Sequence, residues 1–229
     1  MCIALIRFTL PVRIGGIQIT LAIMKSKLEP IPSWITTSLQ GLTFWIGYKR
    51  SLYRDYPLSE GALVTELRSL LHANLPDELF LKCEVGYSHL VKALPRPAPI
   101  AGRTRADLVV VTKVESQGKP GKVVYSPQYV FEFKRAGAPT REIDKDLKRL
   151  AAFQAARPSA RAFLVVLSEA GRNDRFVTEA GKTQLGKHAV PEMEATYHIR
   201  RTVKAASAYT NRDSANYATV VEVRAHKPA

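Results

Sequence analysis

Cysteine is almost missing from this chain of 229 residues: only Cys2 and Cys83 are present. They lack the spacing of metal ligands, and two cysteines do not make a disulfide framework. A reducing, cytoplasmic setting fits. The five histidines (His72, His89, His188, His198 and His226) are scattered, which argues against a zinc site. Unbroken apolar stretches are missing too. Residues 1–24 come nearest, but Arg7, Arg13 and Gln18 interrupt them too often for a membrane span. Ile14–Met24 has the length of a signal-peptide core, yet no small-residue cleavage site follows before Lys25-Ser-Lys27. We read residues 1–30 as a poorly packed extension, with Met24 a candidate for the functional start. No internal repeat and no linker divides residues 31–229, which read as one domain large enough to bury a core.

Acidic residues are the other shortage. Twenty Asp+Glu stand against 34 Lys+Arg, a formal net charge of +14. Such an excess points to a polyanionic partner. No long basic amphipathic helix dominates, so nucleic acid is favoured over a membrane surface. On charge alone, a merely soluble basic protein stays open.

Ser33 starts a helix in which Trp34, Ile35, Leu39, Leu42, Trp45, Ile46 and Leu52 recur at helical intervals, Gly41 and Gly47 weaken the interior, and Pro57 ends or kinks the run. Aromatics at this spacing read as core rather than as base-stacking platforms. Ser59 then caps a second helix with Leu63, Val64, Leu67, Leu70 and Leu71 on one face. By helical geometry Glu60 falls near the middle of that face, and Glu66 falls on its flank. A carboxylate facing a core is unfavourable unless paired. The plain alternative is a first-turn glutamate favoured by the helix dipole.

Strands follow at Phe80–Tyr87, Ala106–Val114 and Val123–Lys134, with a loop marked by Pro95, Pro97, Pro99 and Gly102 and a connection at Gln117–Lys122. Thr140 caps a helix reaching about Ala156, whose outer face carries Lys145, Lys148 and Arg149. Ala162–Leu167 is wholly apolar, as in a strand buried on both faces. Strand, helix, strand implies a right-handed parallel crossover. Ala195–Ala206 and Tyr217–Val223 read as two further strands around a polar Thr-Asn-Arg-Asp turn.

The chemistry concentrates in two of these strands. Asp107 opens one apolar run, and Glu132-Phe133-Lys134 closes the next. Side chains alternate along a strand, so Glu132 and Lys134 share a face. If the runs pair as neighbours, Asp107 reaches Glu132, and two carboxylates meet one ammonium. Carboxylate oxygens suit Mg²⁺, and a lysine beside the ion can orient or help deprotonate its water. The bland alternative is a surface Glu–Lys pair and a turn aspartate.

An acid and an acid-x-lysine on consecutive strands, followed by a helix and a parallel strand, resemble the PD-(D/E)XK phosphodiesterase superfamily. The resemblance covers residues about 59–168 and includes Glu60-Gly-Ala-Leu63-Val64-Thr-Glu-Leu67, similar to the motif that often opens the first core helix. The helix text Ile143-Asp-Lys-Asp146-Leu147-Lys-Arg-Leu150 is also similar to the segment after the Glu-x-Lys strand. Alanine stands where the name-giving proline would precede Asp107, and the glutamine of some subfamilies is missing, leaving Lys145 or Lys148 to take its place.

The resemblance implies a restriction-endonuclease-like α/β fold with a central mixed sheet, a long N-terminal helix and C-terminal strands. It implies Mg²⁺, or Mn²⁺, on Asp107, Glu132 and the Phe133 carbonyl. Lys134 would act on the attacking water or the transition state, and Glu60 on a metal-bound water or second ion. The expectation is a metal-dependent deoxyribonuclease, endonuclease before exonuclease. The alternative is an inactive nucleic-acid-binding or assembly subunit of the same fold. Candidate phosphate contacts are Arg105, Arg135, Lys145, Lys148, Arg149 and Arg172. The expected partner is DNA rather than a membrane, with RNA and a homodimer left open.

Overall fold

The computed structural model describes residues 9–14, 17–22, 28–52, 58–91, 97–115, 123–169, 171–205 and 215–226. Pro57, Pro95, the connection at 117–122 and the turn at 210–213 lie outside the described residues. The chain divides into two units, Met1–Ile31 and Pro32–Ala229. In the first, β1 (Thr9–Ile14) and β2 (Ile17–Ala22) pair antiparallel from Thr9↔Ala22 to Ile14↔Ile17. Apolar residues at 10, 12 and 14 and at 17, 19 and 21 alternate as a strand requires.

The second unit is mixed α/β. Its helices are α1 (Ser33–Leu52), α2 (Glu60–Asn74), the short α3 (Tyr87–Leu90) and α4 (Thr140–Ala156). Its strands are β3 (Leu79–Gly86), β4 (Arg105–Glu115), β5 (Val123–Arg135), β6 (Arg161–Ser168), β7 (Gly186–Ala189), β8 (Ala195–Ala205) and β9 (Asn216–Ala225). They form one seven-stranded sheet in the order β3-β4-β5-β6-β9-β8-β7. β5 and β6 are parallel, joined through α4, and every other neighbouring pair is antiparallel.

Alternation along the strands builds two apolar layers. Val130, Leu164, Val166, Val221 and Val223 pack with Ile143, Leu147 and Leu150 of α4. The residues between them face the other way: Phe131 stacks on Phe133 and Phe163, with Trp34 of α1 edge-on to Tyr129 and Phe131. Trp34 is therefore core, as its spacing indicated. Phe131 and Phe133 pack on the face opposite Glu132, not around it. α1 runs through Gly41, where an added Cβ would meet Leu70 at 3.2 Å; that glycine lets α1 and α2 approach closely.

Ser59 caps α2 as expected, accepting from the Ala62 N–H at 3.1 Å. Most strand ends shift by one or two residues, and two assignments differ. β3 stops at Gly86, and Tyr87 begins α3. Pro139, not Thr140, is the N-cap of α4, with no side-chain cap bond; a proline's fixed φ suits the position before the first turn. Two features of the far half were not legible: β7, and the insertion of β9 between β6 and β8. Among the described residues no helix is long and apolar enough to cross a membrane.

Candidate active site

β4 and β5 separate at one end, and Asp107 sits at the opening. Their pairing runs to Leu108↔Phe131, one step short of Asp107 and Glu132. On the other side β3 pairs through Cys83↔Leu108 and Val85↔Ala106 but skips Glu84, whose φ is 50°. With the ladder broken, the Asp107 side chain takes over a backbone role. Its Oδ2 accepts from the Phe133 N–H at 2.8 Å.

The buried Glu132 carboxylate accepts from the Tyr87 hydroxyl, 2.7 Å from Oε1. Asp107 lies near enough that its charge opposes ionisation of Glu132. Burial raises Asp107 above its ordinary 3.8, against the pull of the Phe133 N–H. Burial first, then the Asp107 and Asp146 charges, hold Glu132 well above 4.5. Burial, with help from Glu132, likewise raises Tyr87 far above its usual value.

Lys134 points to the same face. Its Nζ lies 3.4 Å from Glu60 Oε1, 3.2 Å from Asp146 Oδ2 and 3.3 Å from the Phe133 carbonyl oxygen. Burial alone would lower its pKa, but Asp146 and Glu60 outweigh it and the net shift is upward. Lys134 is thus held as an ammonium. The contact to Asp146 is an ion pair outside hydrogen-bond geometry, which leaves Oδ2 without a hydrogen-bond partner. The other oxygen of Asp146 accepts from Arg149 at 2.9 Å. Burial raises Asp146, against the pull of Lys134 and Arg149.

The structure therefore brings Glu60, Asp107, Glu132 and Lys134 together and adds Tyr87, Asp146 and Arg149. Asp146 falls on the buried stripe of α4 beside Ile143, Leu147 and Leu150. That misplacement of an acid is the same signal that singled out Glu60, and it went unread. Tyr87 gave no signal, because a tyrosine closing an expected strand is ordinary.

The candidate phosphate contacts separate. Arg135 pairs with Glu169 at 3.0 Å, and Glu169 also accepts from the Leu58 N–H at 3.0 Å, tying the start of α2 to the end of β5. With Glu60 and Arg172 these residues line an open cleft of about 570 Å³. Lys145 is exposed beside Glu142, and Lys148 pairs with Glu192 at 2.6 Å. Neither takes the place expected of a site residue; α4 turns Asp146 and Arg149 inward instead. Arg149 is engaged by Asp146, and Arg172 by Asp174 at 3.2 Å. Arg105 opens onto a second cleft of about 450 Å³ with Lys82, His89 and Arg103.

Among the described residues, no three His, Cys, Asp or Glu side chains converge with metal-ligand spacing. Mg²⁺ is commonly held by one or two carboxylates, with waters and substrate phosphate completing its shell. Asp107 and Glu132 match that sparse set. Four carboxylates face two cations here, and Asp146 keeps an oxygen without a hydrogen bond. The residues fit a divalent cation held by oxygen. Comparison with protein-family models, with curated proteins and with solved structures finds no match to this chain.

Proposed function

We propose that this protein is a metal-dependent nuclease that hydrolyses DNA phosphodiester bonds, with a restriction-endonuclease-like core. The observation that carries the reading is that Asp107 and Glu132 meet at the break in the β4–β5 ladder, with Lys134 on the same face. Asp107, Glu132 and the Phe133 carbonyl would hold Mg²⁺ or Mn²⁺, which supplies charge neutralisation and Lewis acidity at the scissile phosphate. The Phe133 carbonyl is now in contact with Lys134 Nζ.

The remaining steps belong to the chain. Tyr87 fixes the Glu132 carboxylate by its hydrogen bond. Lys134, kept charged by Asp146 and Glu60, offers a fixed positive charge to the transition-state phosphate and serves poorly as a base. Arg135 and Arg172 border the cleft along which the backbone would run. A second reading, an assembly or binding subunit without catalysis, draws on the way Glu60, Asp146 and the Phe133 carbonyl already satisfy Lys134.

One experiment separates them: plasmid, single-stranded and branched DNA incubated with Mg²⁺ or Mn²⁺. Wild type should cut at least one substrate. Asp107→Ala and Lys134→Ala should lower the rate by about 10²–10³-fold, the scale of losing one preorganised charge-stabilising group. Equal rates in all three proteins would end the nuclease reading. Steeply salt-dependent binding with no cleavage would favour the subunit.

A further inference from the structure

One strongly charged cluster plays no part in the cleft, and it lies on the other face of the sheet. At its centre is Glu222 of β9, fully buried. Its carboxylate receives Arg161 Nε at 3.0 Å, Arg224 Nη2 at 2.8 Å and the guanidinium of Arg200. Three arginines surround one acid.

Strand register explains how they meet. Phe163↔Glu222 places the acid on the same face as Phe163, away from α4. Ala162↔Val223 brings Arg161 and Arg224 side by side. His198 stands opposite Glu222 on one side and opposite Lys187 on the other. Like charges directly opposite in a sheet destabilise it. The Arg161–Arg224 neighbours are such a pair, and the Lys187–His198 neighbours become one whenever His198 is protonated.

A buried carboxylate needs partners, but not this many. Burial, then Arg161 and Arg224, push Arg200 below its usual value. Burial, then Lys187, Arg200, Arg224 and His188, push His198 down. Apart from the Glu222 carboxylate on Arg200, the charged groups crowding these two are cationic side chains. Arg161 and Arg200 are deep in the wall, where they make further contacts. Arg224, 35% exposed, and Lys187 look outward.

We propose that Arg224, Lys187 and His198 form a second anion site for the phosphodiester backbone of a nucleic acid, with Arg161, Arg200 and Glu222 as its rigid frame. The groups span β9, β8 and β7, a width of about 10 Å at the usual strand spacing. That width suits successive phosphates of a chain better than one small ion. The site is two strands from β5 and on the face opposite Glu132, so it takes a segment of nucleic acid other than the one in the cleft. Nothing in it depends on whether the cleft catalyses.

The test is fluorescence anisotropy in EDTA, where no cleavage occurs, with a short and a long DNA duplex. The proteins are wild type, Lys187→Glu, Arg224→Gln and Lys113→Glu. The last makes the same charge change on β4, away from the cluster. Lys187→Glu should weaken binding of the long duplex by about tenfold and lower the salt slope by about 0.9 for each phosphate no longer neutralised. Arg224→Gln, checked by thermal melting for an intact fold, should do the same, and Lys113→Glu should have much less effect. Equal losses in Lys187→Glu and Lys113→Glu would mean net charge alone, and unchanged binding in Lys187→Glu would mean an internal ion-pair network; either overturns the site. Metal-dependent cleavage of the short duplex is measured alongside. If no protein cuts but Lys187→Glu still binds weakly, the nuclease reading fails and this site stands.

Discussion

Glu132 is buried and Asp107 beside it half-buried, and both hold protons above their ordinary values of 4.5 and 3.8. Each binds its proton more tightly in the folded chain than in the unfolded one. Their contribution to stability is therefore complete below the unfolded value near pH 4 and is lost as pH rises through the raised native values. A divalent cation acts in the opposite direction, because it takes only the ionised carboxylates. The rise in melting temperature produced by Mg²⁺ should grow with pH across that window; a pH-independent rise would place the ion elsewhere. Asp107→Asn removes a half-buried charge beside Glu132 yet keeps an acceptor for the Phe133 N–H. It should melt higher than wild type in EDTA at pH 8 and have lost cleavage. Tyr87→Phe strips Glu132 Oε1 of its donor and should cost about 1–3 kcal/mol in denaturant unfolding.

At the scale of elements, each site residue depends on a local device. Ser59 caps α2, and the first turn then delivers Glu60 to Lys134. Ser59→Ala should cost about 1 kcal/mol in denaturant unfolding. In α4, Leu147 is fully buried on the stripe that also carries Asp146. Leu147→Ala should cost about 2–5 kcal/mol. Patterning made these helices legible: Ser59 before an apolar stripe, then a second stripe from Thr140. It made the central strands legible too, since Ala162–Leu167 has no polar residue for a solvated face. Strand β7 escaped because Gly-Lys-His-Ala carries neither alternation nor an apolar run. Its place is fixed by pairing with β8.

For the molecule as a whole, the surplus of +14 is a statement about partners rather than fold. Many of the cations meet internal acids, as in Arg135–Glu169, Lys148–Glu192, Arg175–Asp144 and the arginines around Glu222, and the surplus is what remains beyond such pairs. The sequence by itself determined the three long helices, the core strands, and the placing of Asp107 and Glu132-x-Lys134 at strand positions. Period and alternation are local properties, written into neighbouring residues. Only the tertiary structure decided that the ladder breaks at Asp107, that α4 turns Asp146 and Arg149 inward, and that Tyr87 holds Glu132. It alone decided that three arginines gather on one glutamate. Those outcomes depend on strand order and register, which join residues as distant as Arg161 and Glu222, 61 positions apart. No local pattern records which distant strand becomes a neighbour, because that choice follows from burying the whole sheet at once.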